Sequence, residues 1–227
     1  MVPTREHHSP HVYSSAMLPT PSRPELVRRI PRLVVGLVLF GFGVGIMVIA
    51  NLGIAPWEVL HQGISNHTGI PLGTVGILTG FVVLLLWIPL HERVGIGTIL
   101  NIFIIGILID LTLWIGPETV DEPWVQWTLL LGGTLIVAIG SGLYIGAGLG
   151  PGPRDGVMTG LGKRGVPIGL ARFAIEVTVL VIGWFLGGTV GVGTVIFAFG
   201  VGPLVGFLLP RLTVADLADA DTAKRQS

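Results

Sequence analysis

The sequence predicts an all-α integral membrane protein with six transmembrane helices in two inverted three-helix repeats, each carrying a short broken helix after its first span. Three observations predict it. Of 227 residues, 51% are hydrophobic and 11% charged, against roughly a quarter charged in soluble domains, so apolar surface exceeds what one soluble core hides. Six stretches are apolar and long enough to cross roughly 30 Å of hydrocarbon at about 1.5 Å per residue. The second half of the chain also lays onto the first after a shift of about 97 residues.

Composition excludes several classes. The 35 glycines lie mainly inside apolar runs, which suits close helix packing and not disorder. With no cysteine, disulfides, thiolate metal sites and cysteine nucleophiles drop out. A net charge of zero gives no electrostatic reason for a nucleic-acid partner. The partner the composition implies is the lipid bilayer.

Residues 1–29 are rich in Pro, Ser, Arg and His and read as a disordered cytoplasmic tail, with His7, His8 and His11 solvated rather than metal-bound. The late, uncleaved-looking first apolar run argues against a signal peptide. Repeat 1 covers residues 30–116, with spans at Leu33 to Asn51, Leu72 to Leu90 and Ile96 to Gly116. An acidic outer loop follows at 117–126. Repeat 2 covers 127–211, with spans at Trp127 to Ala147, Ile168 to Leu186 and Val192 to Leu209, and 212–227 form a second cytoplasmic tail.

Orientation follows from charge. With both termini in the cytoplasm, every Lys and Arg falls on that side, Arg172 lying just inside the fifth span. The outer loop carries Glu118, Asp121 and Glu122. This is the positive-inside pattern. Trp114, Trp124 and Trp127 flank the acidic loop as interfacial anchors.

Under the repeat shift, Gly43, Gly45, Ala50, Leu52, Gly53 and Pro56 fall on Gly140, Gly142, Ala147, Leu149, Gly150 and Pro153. Each unit holds an odd number of spans, so the second copy enters the membrane from the opposite side, as in many transporters. Between the first two spans of each unit lies a segment too short to cross. Pro56 with Glu58, and Pro153 with Asp155, are helix-start signatures, a proline at the first position with an acid in the first turn. They predict short helices from Pro56 to Ser65 and from Pro153 to Leu161, either re-entrant and lining a central site or interfacial and structural.

The motif Leu52-Gly53-Ile54-Ala55-Pro56-Trp57-Glu58-Val59, its counterpart Leu149-Gly150-Pro151-Gly152-Pro153-Arg154-Asp155-Gly156, and the paired segments Val94 to Thr98 and Val190 to Thr194 resemble the YczE/YyaS/YitT group of bacterial integral membrane proteins, most closely its YczE-like branch. The resemblance covers Arg28 to Leu212. It implies a multi-pass protein of the bacterial cytoplasmic membrane and supplies no substrate.

Ionisable groups within spans are costly and mark functional candidates. Arg172 and Glu176 stand four apart on one helical face, as an internal ion pair or as a substrate or proton site. Their repeat counterparts are Gly76 and Gly80. Asp110 looks toward the outer vestibule, and Asn101, deeper on the same span, bonds a neighbouring helix or a solute. Glu58 and Asp155 are equivalent acids on opposite membrane sides. Arg154 beside Asp155 is an anion-binding candidate at a helix start, with a cap or surface ion pair as the plainer reading. Pro203 is expected to kink the sixth span. The Gly-x-Gly elements follow no strand, so they imply no nucleotide cofactor. No catalytic constellation or His pair at metal spacing emerges: His61 and His67 share no helical face. The resulting reading is a small transporter or channel-like permease for a small molecule or ion, not an enzyme. The competing readings are a membrane partner of another enzyme or complex, or a binding subunit of a multi-component transporter. Glycine faces also allow a homodimer.

Overall fold

A computed structural model describes residues 23–118 and 120–214. The expected histidine-bearing tail before residue 23 and the tail after residue 214 lie outside the described residues. Among those described there are nine helices and no strand: α1 (Arg23–Ala50), α2 (Pro56–Thr68), α3 (Leu72–Leu85), α4 (Trp87–Leu90), α5 (Ile96–Ile115), α6 (Pro123–Gly146), α7 (Pro153–Gly162), α8 (Ile168–Phe185) and α9 (Val192–Leu212). With α3 and α4 taken together, six are long and apolar enough to cross a membrane.

The first helix corrects the expected tail boundary. It begins at Arg23, so the last residues assigned to the N-terminal tail are helical, and Glu25 stands 3.7 Å from Arg29 one turn on. The second span is also broken where the sequence reading had it continuous. Pro89 lacks the N–H that would bond the Leu85 carbonyl, and its ring crowds that carbonyl. The helix accordingly stops at Leu85, Leu86 N–H turns back to Val83 O at 3.0 Å, and α4 restarts at Trp87. Pro203, by contrast, lies within α9, which runs unbroken to Leu212.

The centre of the bundle is α1 against α6. Glycine lets their backbones touch: a Cβ on Gly36 would stand 2.8 Å from Gly140 O, and one on Gly133 would stand 2.8 Å from Gly43 O. Gly36 thus faces Gly140 while Gly43 faces Gly133, so the two helices run antiparallel. Close backbone approach maximises dispersion contact where lipid offers no hydrophobic driving force. Around this seam Leu33, Leu37, Val44, Met47, Leu130 and Val137 are fully buried. α8 and α9 are the least enclosed of the six, and Trp114 and Trp124 are exposed at the ends of α5 and α6, as interfacial anchors would be.

Both short helices form where the sequence places them, running three residues and one residue further than expected. Ala55 and Gly152 are extended, at φ −63° with ψ 153° and 160°, and proline opens each helix. α2 stops at Gly69, whose left-handed φ of 72° brings its N–H to Ser65 O at 2.8 Å. The strands of backbone leading into these helices are held by the opposite half of the chain. Gly193 N–H donates to Leu52 O at 2.8 Å, and Gly97 N–H donates to Leu149 O at 2.9 Å. Thr98 Oγ1 adds a bond to Pro151 O at 2.7 Å. Gly53 and Gly150, at φ 103° and 125°, occupy a conformation that a side chain would strain. The Leu-Gly and Val-Gly-x-Gly-Thr motifs therefore sit on each other, each half's entry loop resting on the start of the other half's last helix.

Candidate functional site

The N-terminal ends of α2 and α7 converge on one cavity of about 280 Å³ that is walled by α1, α3, α5, α6, α8 and α9. Both short helices start inside the protein: Pro56, Trp57, Glu58, Pro153 and Met158 are buried, and the loops before both helices bond their backbone to α5 and α9. Such irregular backbone survives at membrane depth only with partners of this kind.

Six of the seven sequence-predicted residues line the cavity: Glu58, Asn101, Arg154, Asp155, Arg172 and Glu176. The central contact joins the two short helices. Arg154 Nη2 lies 2.7 Å from Glu58 Oε1, and the same guanidinium sits 4.8 Å over the Trp57 ring. Glu58 and Asp155, read from the sequence as equivalent acids on opposite sides of the membrane, both line this cavity. The ion pair corrects the view of Arg154 as a surface or cap residue, since the arginine's partner is a carboxylate only 1% exposed. Asp155 Oδ2 accepts the Tyr144 hydroxyl at 3.1 Å. Asn101 and Asp155 flank Gly152, where a Cβ would come within 3.4 Å of Asn101 Nδ2 and 3.3 Å of Asp155 Oδ2. Arg172 and Glu176 pair along α8 at 2.9 Å, and their repeat counterparts Gly76 and Gly80 border the same cavity.

Asp110 is the exception. Its carboxylate accepts Gly73 N–H at 2.5 Å, Thr74 N–H at 2.8 Å and the Thr74 hydroxyl at 2.7 Å, and it does not line the cavity. It caps the free N–H groups and positive end of α3, a structural task that accounts for an acid in a span.

Three site residues escaped the sequence reading. His61 is one turn from Glu58, a spacing that puts both on one helix face; its two ring nitrogens are buried without hydrogen-bond partners, as are Glu58 Oε2 and Trp57 Nε1. Trp57 is adjacent to Glu58 and lines the cavity together with a second, apolar hollow between α3, α7 and α8. Tyr144, on α6, packs edge-on against Phe40 with ring centroids 6.2 Å apart, and nothing in its own sequence surroundings marks it. Among the described residues no three His, Asp or Glu side chains converge as a metal would require.

Comparison with known proteins places this architecture. A family model described as "Family of unknown function (DUF6198)" matches residues 27–210. The chain belongs to this family. It is 39% identical over 179 residues to an "Uncharacterized protein" of Haemophilus influenzae, spanning 78% of this chain and 81% of that relative. It is 33% identical over 195 residues to the "Uncharacterized membrane protein YczE" of Bacillus subtilis, spanning 83% and 89%. The "Uncharacterized protein YyaS" of the same bacterium is 24% identical over 182 residues, spanning 78% and 90%. The resemblance to the YczE-like group read from the paired motifs is borne out. No solved structure matches the chain. With six helices of spanning length and a membrane-protein relative, this DUF6198 member is a multi-pass membrane protein.

Proposed function

We propose that this protein is a small permease of the bacterial cytoplasmic membrane, with both termini cytoplasmic, that passes a small solute through the cavity between α2 and α7. The carrying observation is the Glu58–Arg154 contact at 2.7 Å: it holds two broken-helix starts together at a cavity within the bundle, where burying unused charge is expensive. Transporters place solute sites at such discontinuous helices.

The inverted repeat belongs to the same proposal. Three pairs of contacts exchange with each other under the shift of about 96–97 residues. Gly36 against Gly140 becomes Gly133 against Gly43. Leu52 O with Gly193 N–H becomes Leu149 O with Gly97 N–H. Gly183 against Leu60 of α2 becomes Trp87 against Gly156 of α7. A pseudo-twofold axis in the membrane plane accounts for all three, and it would run close to the Glu58–Arg154 contact. The charge asymmetry of the ends supports cytoplasmic termini.

Shrink–swell light scattering of vesicles containing the purified protein tests the permease, with a panel of neutral, cationic and anionic solutes. Faster solute entry than in protein-free vesicles for at least one class, reduced in Glu176→Gln, is expected. Identical rates for every solute with and without protein would end this reading and favour a membrane partner that transports nothing.

A further inference from the structure

The cavity's ionisable side chains do not balance. Three carboxylates, Glu58, Asp155 and Glu176, face two guanidinium groups, Arg154 and Arg172. Each arginine is already matched, Arg154 with Glu58 at 2.7 Å and Arg172 with Glu176 at 2.9 Å. Asp155 accepts the Tyr144 hydroxyl at 3.1 Å; Arg154 and Arg172 act on it across the cavity, but among the described residues no Lys or Arg stands within 4.0 Å of it. Three carboxylates against two guanidinium groups leave the cavity one positive charge short, and a buried charge that is not balanced is costly; a cation beside Asp155 removes that cost.

The surroundings of Asp155 narrow the kind of cation. Besides the two paired guanidinium groups, the cavity around it offers rings and one amide: Tyr144 with Phe40 edge-on, Asn101 beyond Gly152, and Trp57 under Arg154. Aromatic faces attract poorly hydrated organic cations, whereas a metal ion needs several oxygen or nitrogen ligands that do not converge here among the described residues. A space of about 280 Å³ is near the lower end for small-molecule sites and exceeds a bare ion many times over. Four buried polar atoms on the opposite wall, Glu58 Oε2, Trp57 Nε1 and the two His61 ring nitrogens, have no partner. They offer hydrogen bonds to a solute's polar end.

We propose that the cavity binds a small organic monocation, an amine or ammonium compound, with its charged head at Asp155 against the Tyr144 ring. The proposal rests on the permease reading and names its solute class. Its test is binding, read separately from flux. Apparent melting temperature of the detergent-purified protein is measured with tetramethylammonium chloride and ethanolammonium chloride against sodium chloride and sodium acetate at equal ionic strength. A ligand that binds only the folded state raises the transition by mass action. The ammonium salts are expected to raise it by several degrees (~4 °C), sodium chloride and acetate to leave it in place, and Asp155→Asn to abolish the rise while still eluting as a single species. Should Asp155→Asn not fold, the selectivity of the natural protein decides alone. Equal shifts with sodium, no shift with either ammonium salt, or a shift that survives in folded Asp155→Asn overturns the proposal. Ammonium binding without vesicle flux would sink the permease and leave this inference standing; flux of neutral or anionic solutes without ammonium binding would do the reverse.

Discussion

Glu58 and Arg154 are 96 residues apart in the chain and 2.7 Å apart in the fold. Each sits in the first turn of a short helix, one from either half, so a single ion pair ties the two short helices together. Removing only one partner strands the other charge. Arg154→Met is expected to destabilise the protein by about 3 kcal/mol, the lower end for a buried pair because the arginine is partly accessible. The double variant Glu58→Gln with Arg154→Met should lose clearly less than the sum of the singles. A double-mutant cycle from denaturant unfolding in detergent reads the coupling; strict additivity would show that the contact carries no energy.

Asp110 separates stability from solute handling. Asp110→Ala deprives Gly73 N–H, Thr74 N–H and the Thr74 hydroxyl of their acceptor. A loss of about 1–3 kcal/mol is expected, with solute flux per folded molecule unchanged. Flux that falls while unfolding stays unaltered would return Asp110 to the solute path.

Gly156 packs directly under the Trp87 indole, whose Nε1–H donates to Pro153 O at 2.9 Å. Gly156→Ala would drive a methyl into that ring and displace the bond that holds the start of α7. Overpacking of this kind costs about 1–3 kcal/mol. Trp87→Phe keeps most of the packing and should cost less, near 1 kcal/mol for the lost bond. Thermal unfolding of the two variants checks the order, and a milder effect for Gly156→Ala would contradict the tight contact.

Much of this fold can be read in the sequence because the bilayer simplifies the problem. Long apolar runs mark the spans, and Pro56 with Glu58 or Pro153 with Asp155 marks each short helix by local chemistry that operates wherever the helix ends up. What those cues leave open is depth. Where the short helices sit in the bundle depends on what satisfies the backbone of Leu52 and Leu149, and the donors are Gly193 and Gly97, far away in sequence. The site was likewise half legible. The shift of about 97 residues pairs Glu58 with Asp155 in sequence, yet the ion pair is with Arg154, one residue earlier, because equivalence in sequence does not dictate which side chains meet. An acid within a span reads as functional, yet Glu176 lines the cavity while Asp110 bonds the N–H groups of α3, a partner its own sequence surroundings do not announce. Pro89 interrupts its span where Pro203 does not break α9, so a proline's position alone does not say which helix it divides.

The Arg172–Glu176 pair is a surface of the cavity rather than a buried lock, with side chains 53% and 25% exposed. Exposed pairs of this spacing contribute about 0.3–0.5 kcal/mol. Glu176→Gln should therefore unfold within about 0.5 kcal/mol of the natural protein while its vesicle flux changes several-fold. A large stability loss with unchanged flux would make the pair structural.

The most direct test of the central claim uses the absence of cysteine from the chain, which makes single-cysteine variants unambiguous. Thr79 and Val205 line the cavity, whereas Leu78, next to Thr79 and 51% exposed, points away from it toward lipid. In membranes, a membrane-impermeant thiol reagent is expected to modify Thr79→Cys and Val205→Cys and to leave Leu78→Cys unmodified, because only a cavity open to solute admits it. Unreactive cysteines at both cavity positions, or labelling of Leu78→Cys at the same rate, would contradict a solute path between α2 and α7.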